Sequence, residues 1–450
     1  MKLINTSQEI ANILGIKVCE DLPLSNFCID SRMVKKNSVF FGLKGLNQDG
    51  GKFAKDAVNA GAALVIASEK SKHAIDSPRI HYIKDPVAAL TKLSTVAIKK
   101  YEGYVIGVTG SNGKTTVKNI LHAGIKQSFA TPGNFNNELG LPLSVMSLKQ
   151  SQKYAIFEMG AGKKGDIEFL AKLINPNIGI ITHIGHSHLQ GLNSVLGVLK
   201  VKSELIHQIR SGGAAIIPDG KYVKHWKALR DDIEFHTFGS SSSASFYPSQ
   251  IKITKQGTSF FINSKHLKHK ISVFTPLLGI HNIHNILAAF AVIYQAKLSI
   301  EFFCKSLSIF ENSAQRLSLQ SWFQGSMLID DSYNANPDSF KAAIDVLDQF
   351  TGRKILIMGD MLDLGRYRKK FHTQIGEYAK MHGVDILLGI GDLTKHSVKS
   401  FGLKGYFFKS KEDLKYFLEC NISEKDTLLL KGSRGMKMEQ ILTLLESKND

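Results

Sequence analysis

Residues Tyr104 to Leu121 read YVIGVTGSNGKTTVKNIL: an apolar run, a glycine-rich turn, and a helical pattern that resumes after Lys114. A buried strand that ends in such a turn and passes directly into a helix offers unpaired backbone N–H groups and the positive end of a helix dipole to an anion. Lys114 adds a point charge suited to the outer phosphates of a nucleotide, and the Thr115 hydroxyl a ligand for magnesium. The spacing departs from the eight-residue phosphate loop, because Val108 rather than glycine stands five residues before Gly113. What remains is a tighter variant made of Gly110, Ser111, Asn112, Gly113, Lys114 and Thr115, with Thr116 next in the helix. Strand, Gly-Lys-Thr and helix occur together, as a merely solvated turn would not require, so the stretch is read as a nucleotide site.

Outward from this loop the pattern alternates. YAIFEMG, IGIITHIG and GAAIIPD are short apolar runs, most of them separated by helical segments, which predicts a parallel sheet covered by helices on both faces. SSSSAS, residues 240 to 245, reads as a loop, and QIKITKQGTSFFINS as a hairpin turning at Gln256-Gly257. The helix HNIHNILAAFAVIYQA closes this region. Beyond Gln315 the runs SMLIDD, KILIMGD, DILLGIG and TLLLKGS predict a second doubly wound unit. Before Lys100, SVFFGLKG and AKDAVNAGAALVIAS read as strand, helix and strand. The expectation is an α/β chain of three domains: a small N-terminal α/β substrate domain (residues 1–99), a central parallel-sheet P-loop ATPase domain (100–313) and a C-terminal Rossmann-like domain (314–450).

Composition narrows the function classes. The 450 residues exceed a single core, and 43% hydrophobic with 21% charged residues is the balance of a globular protein. No apolar run has the length of a signal-peptide core or a membrane span, which predicts a cytoplasmic protein without a membrane span. Cys19, Cys28, Cys304 and Cys420 lie too far apart for a metal knuckle and are expected to be reduced, mostly buried thiols. The net charge of +18 comes from scattered lysines with no aromatic-basic interleave, so it predicts small anionic substrates rather than nucleic acid. The most basic cluster, SKHLKHK (264–270), lies between two strand-like runs and is expected to be an exposed hairpin turn.

In an open parallel sheet, ligand-binding residues gather at the carboxyl ends of the strands. That rule selects Glu158, at the end of YAIFEMG, as a carboxylate able to hold a magnesium bridged to nucleotide phosphates. It also selects His183, His186 and His188, which follow IGII and favour a second cation in the same place. Lys200 and Lys202, a helix further on, read by composition as a solvated face.

Taken in order, TGSNGKTT, GNFNNELGLPLS, FEMGA, SHLQG followed by KVKSE, GIHNIHNILAA, DDSYNANPDS, MGDMLDLG and LLKGSRG resemble the Mur ligase family, and CIDSRMVKKNSVFFGLKGLNQDGGKF extends the likeness into the first domain. NFNNELGLP, DSYNANP and GDMLDLG resemble the branch that adds D-alanyl-D-alanine to UDP-N-acetylmuramoyl-tripeptide. The resemblance implies an ATP-dependent ligase working through an acyl phosphate, with ATP and two Mg2+ ions as cofactors and those two small molecules as substrates. It implies catalytic roles for Lys114, Glu158, His188, Lys202 and Arg316. Thr115, Glu158, His188 and Lys202 would be metal ligands, Lys202 as a carbamate. Asn282, Asn285, Arg316, Asp331 and Asn334 would join Gly110 to Thr116 around ATP. Ser31 and Arg32 would contact the UDP-sugar in the first domain, and Asn136, Asn137, Tyr333 and Asn336 would complete the substrate contacts, with the dipeptide on the last domain. The chain is expected to act as a monomer. His183, Gln190 and Gly51 depart from the residues common in the family, which bears on fine contacts only. The competing readings are another Mur-type ligase with a different amino acid or a folate substrate, and a phosphate-loop ATPase acting on nucleic acid.

Overall fold

The structure, a computed structural model, describes residues 2–45, 48–71, 73–254 and 256–446. The first unit is a four-stranded parallel sheet, Phe27–Cys28, Val39–Gly42, Leu64–Ser68 and Ile80–Ile83 in spatial as well as chain order. Helix Pro86–Lys99 packs on this sheet through Leu90, Leu93 and Ala97, with Asp85 as its N-cap and Pro86 at its first turn.

The central unit is a six-stranded parallel sheet. Its spatial order is Glu234–Phe238, Ala214–Pro218, Ile178–Ile181, Tyr104–Thr109, Tyr154–Glu158 and Ser128–Ala130. Tyr104–Thr109 is therefore an inner strand. The chain leaves it toward one edge and later crosses to continue toward the other, which opens a crevice at the carboxyl ends of the inner strands. The register places Val108 opposite Glu158 and Thr109 opposite Ile181, so the phosphate loop, Glu158 and the 182–188 loop emerge side by side. The strands Ser128–Ala130 and Glu234–Phe238 lie outside the runs singled out by sequence. The first is three residues long and the second carries Glu234 and His236, so neither shows a continuous apolar run.

The expected hairpin exists: Tyr247–Thr254 pairs antiparallel with Gly257–Asn263. A third strand, Ile271–Thr275, extends it, and SKHLKHK is the connection between the last two strands. Helix Ile280–Gln295 buries Ile283, Ile286, Leu287, Phe290 and Ile293 against the central sheet. The last unit is a six-stranded sheet in the order Ser318–Ser321, Met327–Asp331, Asp426–Lys431, Arg353–Gly359, Ile386–Ile390 and Gly405–Phe408, with only the first strand antiparallel. Among the described residues no helix is long and apolar enough to cross a membrane. All four cysteines are free, but the expectation that most are buried is corrected: Cys28 is buried, Cys304 half-buried, and Cys19 and Cys420 exposed.

Candidate active site

The loop after Thr109 is held from both sides. Ser111 N–H donates to His183 O at 2.8 Å, and Gly185 N–H donates to Ser111 Oγ at 3.0 Å. Gly113 has φ +82° and is the N-cap of helix Lys114–Gly124 without any side-chain cap, so the first-turn N–H groups are left for an anion. A Cβ at this position would lie 2.3 Å from Asn285 Oδ1, and Asn285 is itself held by donating through Nδ2 to Asn282 Oδ1 at 3.0 Å. Gly113→Ala is therefore expected to weaken ATP binding at least about tenfold, since a left-handed backbone costs an L-residue roughly 1–2 kcal/mol before any clash is counted. Equilibrium nucleotide binding checks this, and a wild-type affinity would contradict it.

The charged groups converge around this loop. Lys114 Nζ donates to Gly110 O at 2.7 Å and to Ser111 O at 3.4 Å, folded back on its own turn. Burial lowers its pKa, with Glu158 opposing and Arg316 reinforcing that shift. Glu158 is 3% exposed; Asn136 Nδ2 donates to its Oε1 at 2.8 Å, while Oε2 accepts no hydrogen bond among the described residues. Lys118 Nζ stands 3.9 Å from that Oε2 and donates to Thr131 O at 2.9 Å. Arg316, from the last unit, donates to Thr115 Oγ1 at 3.0 Å with its guanidinium 4.1 Å above the Tyr333 ring.

Lys202 reverses the compositional expectation. Lys200 is exposed, but two residues later on helix Val195–His207 the Lys202 side chain is 1% exposed, and among the described residues it forms no hydrogen bond or ion pair. Burial, then the positive charge of Lys114, drives its pKa well below the ordinary lysine value. His188 has φ +51° and lies 3.8 Å from Asp363 Oδ2 of the last unit. Burial, then Lys114 and Lys202, lower its pKa to about 4, which keeps the imidazole in the neutral form that binds metals.

The other two histidines do something else. The His186 ring and N–H both face Asp338, with N–H to Oδ2 at 2.7 Å, so His186 joins two domains. His183 is packed under Gly185 with Nδ1 unpaired.

A cavity of about 1640 Å³ brings together Lys114, Glu158, His188 and Arg316, whereas Lys118 and Lys202 are not among its lining residues. Helix Pro86–Lys99 of the first unit contributes Thr91 and Thr95 to its wall, the centre the loop with Glu158 and His188, and the last unit Arg316, Asp331 and Asn334. Asn282, Asn285, Asn136, Asn137, Tyr333 and Asn336 line it as well. Several of these already have partners: Asn136 holds Glu158, Asn137 Oδ1 accepts from Gly140 N–H at 2.9 Å, and Asp331 is ion-paired with the buried Lys431. Ser31 and Arg32 are not brought to this cavity; they form a short 3-10 turn on the first unit, where Arg32 pairs with Asp30 at 2.6 Å and is 88% exposed.

Sequence reading passed over Lys118, Asp338 and Lys431. Lys118 left a signal in its spacing, since it follows Lys114 by one helical turn and so shares its face, while Asp338 and Lys431 lie inside the DDSYNANPDS and LLKGSRG blocks.

The donor set fits magnesium. Among the described residues no three His, Cys, Asp or Glu side chains converge as a ready-made metal cage. Mg2+ commonly takes one or two carboxylates and completes its shell with water and substrate phosphates, and Glu158 Oε2, which among the described residues accepts no hydrogen bond and has only the Lys118 ammonium 3.9 Å away, suits that pattern beside the phosphate loop.

Family models match nearly the whole chain: the Mur ligase family catalytic domain over residues 23–97, the Mur ligase middle domain over 108–293 and the Mur ligase glutamate ligase domain over 315–434. The UDP-N-acetylmuramoyl-tripeptide–D-alanyl-D-alanine ligase of Bacillus subtilis is 32% identical over 98% of each chain, and that of Escherichia coli 31% identical over 95% of this chain and 94% of its own. A crystal structure of MurF from Acinetobacter baumannii superposes with a TM-score of 0.89 at 26% identity over 98% of both chains. The MurF ligase from Thermotoga maritima in complex with ADP superposes at 0.81 and 26% identity, over 94% of this chain and 97% of that one. Matched by family models in all three of its units and by relatives 31–32% identical over more than nine-tenths of both chains, the chain belongs to the Mur ligase family.

Proposed function

We propose that this enzyme is an ATP-dependent ligase of the cytoplasm that joins D-alanyl-D-alanine to UDP-N-acetylmuramoyl-tripeptide in the synthesis of peptidoglycan precursors. The observation that carries the reading is one cavity whose walls come from all three domains, with the phosphate loop, Glu158, His188 and Arg316 around it.

Joining an ionised carboxylate to an amine is unfavourable in water, so the carboxylate is first made electrophilic by the γ-phosphoryl group of ATP. Carboxylate and triphosphate are both anions, and Lys114 and Arg316 lower the cost of bringing them together. Thr115, Glu158, His188 and a carbamylated Lys202 would hold two Mg2+ ions, whose role when bound is to neutralise charge on the phosphates. The acyl phosphate formed by this transfer is attacked by the dipeptide amine, and phosphate leaves. Walls from three domains align the reacting groups and keep water from the acyl phosphate. The first domain holds the UDP-sugar end and the last the dipeptide.

ADP release over a panel of acceptors tests this. Release should require both UDP-N-acetylmuramoyl-tripeptide and D-alanyl-D-alanine, and L-alanyl-L-alanine should fail. Equal turnover with L-glutamate or a single amino acid would place the chain on another branch of the family, and stimulation by DNA or RNA would point to a nucleic-acid ATPase.

A further inference from the structure

Asn112, in the turn of the phosphate loop, and Asn336, in the last domain, exchange a pair of amide hydrogen bonds. Asn336 Nδ2 donates to Asn112 Oδ1 at 2.7 Å, and Asn112 Nδ2 donates to Asn336 Oδ1 at 3.3 Å. Asn336 is also the N-cap of helix Pro337–Leu347: its Oδ1 accepts from Ser339 N–H at 2.9 Å, and its own N–H donates to Ser339 Oγ at 3.0 Å. Its side chain is thus ordered by its own helix before Asn112 meets it, and little further rotamer freedom is lost in forming the pair. A side chain fixed in this way reports where the last domain stands.

The other end of the pair is equally constrained. Asn112 lies between Ser111 and Gly113, so its backbone is part of the anion cradle, and Thr182 Oγ1 donates to its carbonyl. Two further ties surround the pair, His186 N–H to Asp338 Oδ2 at 2.7 Å and Arg316 to Thr115 Oγ1 at 3.0 Å. The side chain of a phosphate-loop residue therefore joins the domain expected to carry the incoming amine.

We propose that the Asn112–Asn336 pair is a positioning latch that makes the shape of the phosphate loop depend on docking of the last domain, so that ATP binding and domain docking favour one another. The latch rests on the ligase reading only in taking ATP as the ligand of the loop. Coupling of this kind is reciprocal: whatever the docked domain adds to ATP affinity, ATP adds to docking. It also gives Asn336 a role other than the substrate contact implied by the family resemblance.

A double-mutant cycle on the full chain tests it. Asn112→Ala and Asn336→Ser each remove the pair, and serine caps a helix about as well as asparagine, so Asn336→Ser should melt within a few degrees of wild type without nucleotide. If that variant fails to fold, Asn336→Thr keeps a capping hydroxyl and serves in its place. Equilibrium binding of ATP should weaken roughly five- to tenfold in each single variant, the scale of one or two lost hydrogen bonds, and no further in the double variant. Small-angle scattering should show the wild type becoming more compact on adding ATP and the Asn336 variant doing so less. Additive effects in the cycle, or single variants with wild-type affinity, overturn the latch alone. A wild-type chain that binds no ATP overturns the ligase reading and the latch with it.

Discussion

Lys202→Ala is expected to lose at least about 10²–10³-fold in ligation rate while remaining folded, the scale of removing one preorganised electrostatic contribution from a water-excluded site. A lysine of ordinary pKa near 10.4 has only about one amine in 2,500 neutral at pH 7, too few to capture carbon dioxide efficiently. Lys202 is not an ordinary lysine: it is 1% exposed, and burial with Lys114 nearby pushes its pKa well down. A lowered pKa enlarges the neutral fraction at a given pH, and the neutral amine is the form that becomes a carbamate. The product is a hard anionic ligand of the kind magnesium prefers. A purely structural lysine behaves differently under the same tests. Removing a buried polar amine that forms no hydrogen bond or ion pair among the described residues relieves a desolvation cost, so Lys202→Met should melt no lower than wild type. Acetate should partly restore the alanine variant by occupying the vacated ligand position, and stripping carbon dioxide from the buffer should slow the wild type. ADP-release assays and thermal melts measure all of this. Full activity in the alanine variant would remove Lys202 from the mechanism, and a loss without any acetate rescue would remove the carbamate.

Lys114→Ala should fall by a similar factor in kcat/KM, for a different reason. Its ammonium rests on Gly110 O and Ser111 O, so it is already at the loop and needs only to exchange those carbonyls for phosphate oxygens. Charge developing on the transferring phosphoryl group then meets a cation that requires little reorganisation. Alanine leaves two loop carbonyls that ordered water can serve, so the fold should survive with its melting temperature within a few degrees. Lys114→Arg should not restore activity, because a planar guanidinium does not replace a compact point charge in a turn shaped this tightly. Steady-state kinetics with varied ATP separates the contributions: a loss confined to KM would mean that Lys114 only binds the nucleotide, and near-normal turnover would exclude it from the site.

Most of the architecture was legible in the sequence because it is carried by local pattern. YVIGVT, YAIFEMG and IGII are uninterrupted apolar runs ended by glycine or polar residues, which a strand buried on both faces produces. Ser128–Ala130 and Glu234–Phe238 escaped because edge strands are short or partly polar and need no continuous apolar run. The phosphate loop was legible for another reason: backbone geometry such as φ +82° at Gly113 restricts the residue types that fit it.

Sequence by itself determined the alternation of inner strands with helices, the existence of a nucleotide loop and, through the ordered motif blocks, the family. These follow from nearest-neighbour chemistry: periodicity, turn residues and caps act over a few positions. Only the tertiary structure decided the fate of the individual charges. Lys200 and Lys202 share one helix, yet one faces solvent and the other is buried, with no hydrogen bond or ion pair among the described residues. His186 and His188 are two residues apart, yet one faces Asp338 across a domain boundary and the other stands near Lys114 and Lys202. Asn336 reads as a substrate ligand in its motif and is seen capping its own helix while gripping Asn112 from 224 positions earlier. Burial and electrostatic partnership are long-range properties, set by which segments the packed sheets bring together, and spacing along the chain does not contain them.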